Sequence, residues 1–234
     1  MSQIVFYALG DWDELPPLGG AFELELEAAD EELRREFLLL APEAGFTGAE
    51  RRALGRARSL ITASLFFEAE AAQAASGGAE LLRALFQEGA VGVIYEGAEK
   101  LFAPTIAAEI EATDRVCLLH LYLSLWGEPP QGALPGRVVA EGLEAFGLPD
   151  VWILTGQGEE RALREAAQSA AFAAAARLWI EGERFPLGAQ LRASESKPLF
   201  ICCTAPEHFP VEERTRNPHG VLCFVRAAQH DESP

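Results

Sequence analysis

The sequence predicts an α+β fold: a mixed, largely antiparallel sheet of eight or more strands carrying a long alanine-rich helix. Three observations predict it. Gly158 to Glu181 has helical periodicity, with six alanines among residues 170–176. Phe22, Leu24 and Leu26 alternate with Glu23, Glu25 and Glu27, the period of a strand with one wet face. Short apolar runs, including Ala90–Tyr95, Leu199–Thr204 and Val221–Val225, recur between glycine and proline breaks and read as buried strands.

The helix has a different character in its two halves. Leu163, Ala167, Ala170, Ala174 and Leu178 form one stripe, with Arg161, Glu165, Gln168 and Ser169 opposite. Phe172, Ala176 and Trp179 then turn the polar side apolar, so the second half is expected to be buried on both faces. Its alanines keep the cylinder thin and let a sheet approach closely. Glu159 and Glu160 suit the positive end of the helix dipole, and Gly182 is placed for a left-handed stop.

With 234 residues and 49% hydrophobic content, the chain can bury a large core. It reads as a single domain over 1–234, with residues 1–57 as an optional N-terminal subdomain and 230–234 expected to be disordered. No apolar run reaches the ~18 residues of a membrane span. Asp11, Asp13 and Glu14 stand where a signal peptide would be basic and then apolar, so a cytoplasmic protein without membrane contact is expected. Four cysteines without a regular framework fit a reducing compartment. A net charge of −17 argues against nucleic acid and favours a basic partner. Arginine supplies 17 of the 19 basic residues and alanine is abundant, a bias that a GC-rich genome would also produce.

In chain order, Gln3–Ala8 is a short apolar run and Gly10–Gly20 a loop. After the Phe22–Glu27 strand, Asp30–Leu40 fits a helix or a second strand. The hairpin is favoured, with Arg34 or Arg35 facing the glutamate row. Residues 11–50 hold twelve acidic and two basic side chains, a local charge of −10. Glu23, Glu25, Glu27 and Asp30 are therefore the candidate binding surface, against the plainer reading of a solvated sheet face. Thr47 and Glu50 make a capping box for a helix to Ala57, whose Arg51, Arg52, Arg56 and Arg58 are expected to pair with the acidic segment.

Ser59–Phe67 reads as a strand, Ala69–Gln87 as a helix interrupted at Gly77 and Gly78, and Pro104 as the first turn of a helix to Glu111. Val116–Trp126 reads as a strand with one wholly apolar face through Cys117, Leu119, Leu121, Leu123 and Leu125. On its other face His120, Tyr122 and Ser124 would form a row suited to acid–base work, with Glu141 or Glu144 from the next strand, Val138–Phe146. A partly exposed face with satisfied polar groups is the plainer alternative. Pro149–Leu154 is a further strand.

Ala90–Val93 with Tyr95 and then Pro104; Gly142 and Leu143 with Phe146, Gly147, Leu148 and Pro149; and Gly182 with Phe185, Leu187 and Gly188 after a long helix together resemble a bacterial family known only as a domain of unknown function. The resemblance covers residues 58–192. This chain has Glu96 where that family usually has tryptophan, and Glu183 where a turn aspartate is common. Members of that family resemble accessory proteins encoded near contact-dependent toxin and immunity systems. The resemblance implies no catalytic residues.

Two further motifs are weaker. Gly156, Gln157 and Gly158 lie between a strand and a helix, yet Glu159 and Glu160 occupy the place of an anion and no P-loop lysine follows. Cys203, His208, His219 and Cys223 are possible zinc ligands, but both thiols sit in apolar strand runs and a core role is favoured. No cofactor is called for. The leading expectation is a non-enzymatic protein-interaction or immunity-type module that binds a basic partner, with a negative patch over residues 11–36 and no deep pocket beside His120. The alternative is a small hydrolase or ligand-binding enzyme built on His120, Tyr122 and Ser124, which requires such a pocket.

Overall fold

The computed structural model describes residues 2–19, 22–67, 71–110, 114–131, 134–156, 161–207 and 209–227. The chain divides into two units, Met1–Tyr122 and Leu123–Pro234. The expected single sheet of eight or more strands is instead two sheets, of five and six strands. Within each unit the α+β class holds.

In the first unit β1 (Ser2–Gly10) places Ile4, Phe6 and Ala8 on one face and Tyr7 and Leu9 on the other, and pairs along both edges. β2 (Phe22–Ala28) follows the alternation read from the sequence, with Glu23, Glu25 and Glu27 exposed. The hairpin expected after it does not form, because residues 31–40 are α1 (Glu31–Leu40). Asp30 caps that helix by accepting from the Leu33 N–H, and fully buried Phe37 with half-buried Leu33 and Leu40 gives it one apolar side. Helical spacing thus buries more of this segment than alternation would. Arg34 accordingly turns to the Ala29 and Ala57 carbonyls instead of the glutamate row.

α2 (Gly48–Leu54) starts at the capping box read from Thr47 and Glu50, both halves of which are made. Beyond it Arg58 pairs with Asp11 and Asp13 of the preceding loop. β3 (Ser59–Phe67) pairs with β1 and β2, and α3 (Ala71–Gln87) runs unbroken through Gly77 and Gly78. The reason is close approach. A Cβ on Gly78 would lie 2.3 Å from the Tyr122 hydroxyl and 3.2 Å from Ile4 Cδ1.

β4 (Gly92–Tyr95) and β5 (Lys100–Phe102) complete the antiparallel order β2-β3-β1-β4-β5. β1 is central and pairs with both β3 and β4, and β2 pairs with β3, so these two early strands share a sheet with the later ones. Pro104–Ala108 is a 3-10 turn, shorter than the helix expected to reach Glu111, which lies outside the described residues.

The strand expected over Val116–Trp126 is two elements. α4 (Arg115–Tyr122) begins where Asp114 accepts from the Val116 and Cys117 N–H groups, and buries Leu118, Leu119, Leu121 and Tyr122. Those spacings of one, three and four satisfy a helix face as well as alternation satisfies a strand. The cap decides between them.

In the second unit β6 (Ser124–Glu128), β7 (Gly136–Glu141) and β8 (Asp150–Thr155) form an antiparallel meander. β7 stops short of Phe146, and Glu144–Phe146 is a 3-10 turn. α5 (Arg161–Ile180) is the long alanine helix, packed on β6, β7 and β8; its expected start at Gly158 lies outside the described residues. Ala167, Ala170, Ala171, Ala174 and Ala175 are fully buried. A buried methyl contributes only about 0.8 kcal/mol, so what these residues mainly provide is a short helix-to-sheet distance.

The far side of α5 is half-buried, less than the complete burial expected of its second half: Phe172, Ala176 and Trp179 keep partial exposure. Trp179 stacks on Phe146 with centroids 5.1 Å apart. Gly182 ends the helix with φ +66°, and the Glu183 N–H returns to the Arg177 carbonyl, the left-handed stop read from the sequence.

β9 (Gln190–Leu191), β10 (Phe200–Cys203), the short helix α6 (Val211–Thr215) and β11 (Val221–Arg226) follow. The sheet order is β6-β7-β8-β11-β10-β9, parallel between β8 and β11 and antiparallel elsewhere. No helix among the described residues is long and apolar enough to cross a membrane. Residues 230–234 lie outside the described residues.

Candidate functional site

Glu23, Glu25 and Glu27 share one face of β2 and are exposed. β2 is the outer strand of the first sheet, and opposite it on β3 stand Ser64, Thr62 and Leu60, none of which can neutralise Glu23, Glu25 or Glu27. Among the described residues those three carboxylates make no ion pair. Glu31, Glu32 and Glu36 on α1 are exposed as well, and Glu31 has a cation, Arg35, one turn away at 3.8 Å. Asp30 is part of the surface, but its carboxylate serves the α1 cap. Among the described residues Arg51, Arg52 and Arg56 make no ion pair, and Arg58 pairs with the loop before β2.

The catalytic row expected at His120, Tyr122 and Ser124 is not assembled. His120 and Tyr122 are two residues apart on α4, which points them in different directions. Tyr122 is 1% exposed, and its hydroxyl donates to the Ala75 carbonyl at 2.7 Å. Burial pushes its phenol well above the ordinary value, which suits a core hydroxyl and not a proton carrier at neutral pH. Ser124 belongs to the second unit, where it faces Glu141 across the β6–β7 ladder. Glu141 in turn accepts from Trp126 Nε1 at 2.8 Å and lies 4.0 Å from Arg216.

His120 does border a cavity, however, of about 590 Å³. Leu101, Phe102, Ile106 and Ile110 supply its apolar wall, and Lys100, Cys117 and His120 bring polar atoms to it. Lys100 donates to the His120 carbonyl, and burial lowers its ammonium pKa. The Cys117 thiol donates to the Glu109 carbonyl at 3.7 Å. α4, read from sequence as a strand, is a helix, and its Val116, Cys117, His120 and Leu121 line this open hollow together with Lys100, Leu101 and Phe102 of β5.

Sequence reasoning missed a third arrangement, around Arg137 on β7. Its guanidinium is 5% exposed, paired through Nε to Glu128 and through Nη2 to Glu213 of α6. It lies 4.2 Å from the Trp152 ring centroid, 4.9 Å from that of Phe209 and 5.8 Å from that of Trp126. Nη1 is buried and finds no partner among the described residues. The signal in the sequence was one arginine immediately before the apolar run Val138–Ala140, between segments that carry Trp126 and Trp152.

Of the four candidate metal ligands the structure brings together only Cys203 and Cys223, which are directly opposed across the β10–β11 ladder. His219 is exposed in the turn before β11, with its N–H donated to Asn217, and His208 lies outside the described residues. Among the described residues no group of three or more histidine, cysteine, aspartate or glutamate side chains could hold a metal ion.

Set against known proteins, the chain matches no family model, no curated protein and no solved structure. Its function therefore has to be argued from the residues themselves. Two acidic side chains near the turns of the fold are both paired. Glu96 accepts from the Tyr7 hydroxyl at 2.7 Å, and Glu183 pairs with Arg177.

Proposed function

We propose that the chain is a non-enzymatic, immunity-type interaction module that takes a basic partner on the acidic surface of β2 and α1. The observation that carries this reading is the row Glu23, Glu25 and Glu27: three exposed carboxylates on an outer strand, without a cation among the described residues to offset them. Like charges in such a row repel one another, and a complementary chain of lysine or arginine relieves that repulsion. An acidic outer strand also discourages edge-to-edge aggregation. The two uses are separated by binding.

The test is a titration of the full chain against a lysine-rich peptide and a neutral peptide of equal length, at low and high salt. Replacing Glu23, Glu25 and Glu27 together by Gln is expected to weaken basic-peptide binding about tenfold at low salt and to flatten its salt dependence. Equal affinity of the triple variant and the parent would sink the reading.

The cavity beside His120 favours a second reading, a site for a small amphipathic ligand. Its volume of about 590 Å³ falls in the usual range for such sites, about 300–1,000 Å³, and a few polar groups converge on an apolar wall. A ligand there should perturb the His120 ring resonances in a nuclear magnetic resonance titration. It should leave the response of the Glu23, Glu25 and Glu27 variant unchanged.

A further inference from the structure

Cys203 and Cys223 form the closest pair of thiols that the register of the second sheet sets side by side. They are direct partners on antiparallel strands, so both side chains leave the sheet on the same face, that of Trp152 and Phe209. Opposed residues of an antiparallel pair have Cα atoms about 4.5 or 5.5 Å apart. Both values lie inside the window of about 4.4–6.8 Å over which a disulfide closes without moving the backbone.

The neighbouring Cys202 cannot compete. It is on the opposite face of the same strand, donates its thiol to the Phe185 carbonyl at 3.6 Å and is packed where Phe185 meets Phe224 edge to face. Cys203 is half-buried and Cys223 1% exposed. Cys203 is thus the more exposed member of the pair and Cys223 the enclosed one.

We propose that Cys203 and Cys223 are a reversible disulfide site, oxidised by low-molecular-weight disulfides such as oxidised glutathione. The Cys203 thiolate attacks one glutathione sulfur, forming a mixed disulfide and releasing one reduced glutathione. Cys223 then loses its proton and attacks Sγ of Cys203, releasing the second glutathione and closing the cross-strand bond. Two thiols are oxidised and one glutathione disulfide is reduced to two thiols, so the exchange balances. Burial, with Cys203 alongside, pushes the Cys223 thiol up, which makes the second step the slower one and the whole exchange faster at alkaline pH.

The test is incubation of the full chain with oxidised glutathione, followed by intact mass and peptide mapping. The expected result is a loss of two hydrogens per chain, restored by dithiothreitol, with the fragments containing Cys203 and Cys223 joined. Cys202→Ser should behave like the parent, and Cys203→Ser should lower the yield of cross-linked chain more than tenfold. Mapping on the parent chain decides the matter even if Cys203→Ser folds poorly. A link through Cys202 or Cys117, a glutathione adduct that persists on Cys203, or four thiols that all remain open to alkylation would each overturn the proposal.

Discussion

The central carbon of the Arg137 guanidinium lies over Trp152, 4.2 Å from the ring centroid, while Glu128 and Glu213 hold two of its nitrogens. A charge at this depth is tolerated because two carboxylates and three aromatic faces replace its water. Arg137→Met removes the charge and leaves two acids behind. Those acids are 36% and 40% exposed and can rehydrate, so the expected loss is about 2–3 kcal/mol, below the roughly 3–5 kcal/mol of a fully buried broken pair. Arg137→Lys should cost nearly as much, since an ammonium cannot stack and fork at once. Denaturant unfolding followed by tryptophan fluorescence measures both.

Tyr122 and Gly78 depend on each other. The Tyr122 hydroxyl donates to Ala75, one turn before Gly78, and occupies the space a Gly78 side chain would need. Tyr122→Phe is expected to cost about 1–2 kcal/mol for the lost hydrogen bond. Gly78→Ala should destabilise by about 1–3 kcal/mol through overpacking, despite alanine's better helix propensity. The double variant should be less destabilised than the sum, and simple additivity would refute the contact.

α1, which replaces the expected hairpin, and α2 both rest on caps. Asp30→Ala and Thr47→Ala each remove a side-chain acceptor from a helix N-terminus, at about 1 kcal/mol apiece. The two sites lie on different helices, so their effects should add. If Asp30→Ala proved neutral in thermal unfolding, the cap would not be holding α1.

Asp150 makes the second unit sensitive to pH. Burial raises its carboxyl from 3.8 to about 6; the Asn217 side chain lowers it in part, and Glu141 and Glu144 raise it further. The folded chain thus keeps this proton up to near pH 6, whereas the unfolded chain releases it at about pH 4. Its stabilising contribution is complete below the unfolded value and is lost as pH rises through the folded one. Stability should therefore decline between those two values. Asp150→Asn, which retains an acceptor for Asn217, should flatten that decline in unfolding measured from pH 3.5 to 7.

The acidic strand and the alanine helix were legible before any coordinates, because each signal is local. Phe22–Glu27 alternates whatever it pairs with, and the Gly158–Glu181 stripe repeats at helical spacing over several turns. The capping box at Thr47 and the stop at Gly182 were equally local and appear where they were read. Residues 30–40 and 116–122 are helical where strands were expected, because their apolar spacings satisfy both periods over so short a length. In each case an aspartate just before the segment, Asp30 or Asp114, settles it by capping a helix.

What the sequence determined alone was therefore the class of the fold, the position of its longest helix and the place where negative charge accumulates. Only the tertiary structure decided that the strands make two sheets, that His120 borders a hollow while Tyr122 is core, that Arg137 is stacked among aromatics, and that Cys203 meets Cys223. The physical reason is range. Periodicity and caps act over a turn or two of chain, whereas strand order, register and the burial of a charge depend on partners tens of residues away that no local pattern names.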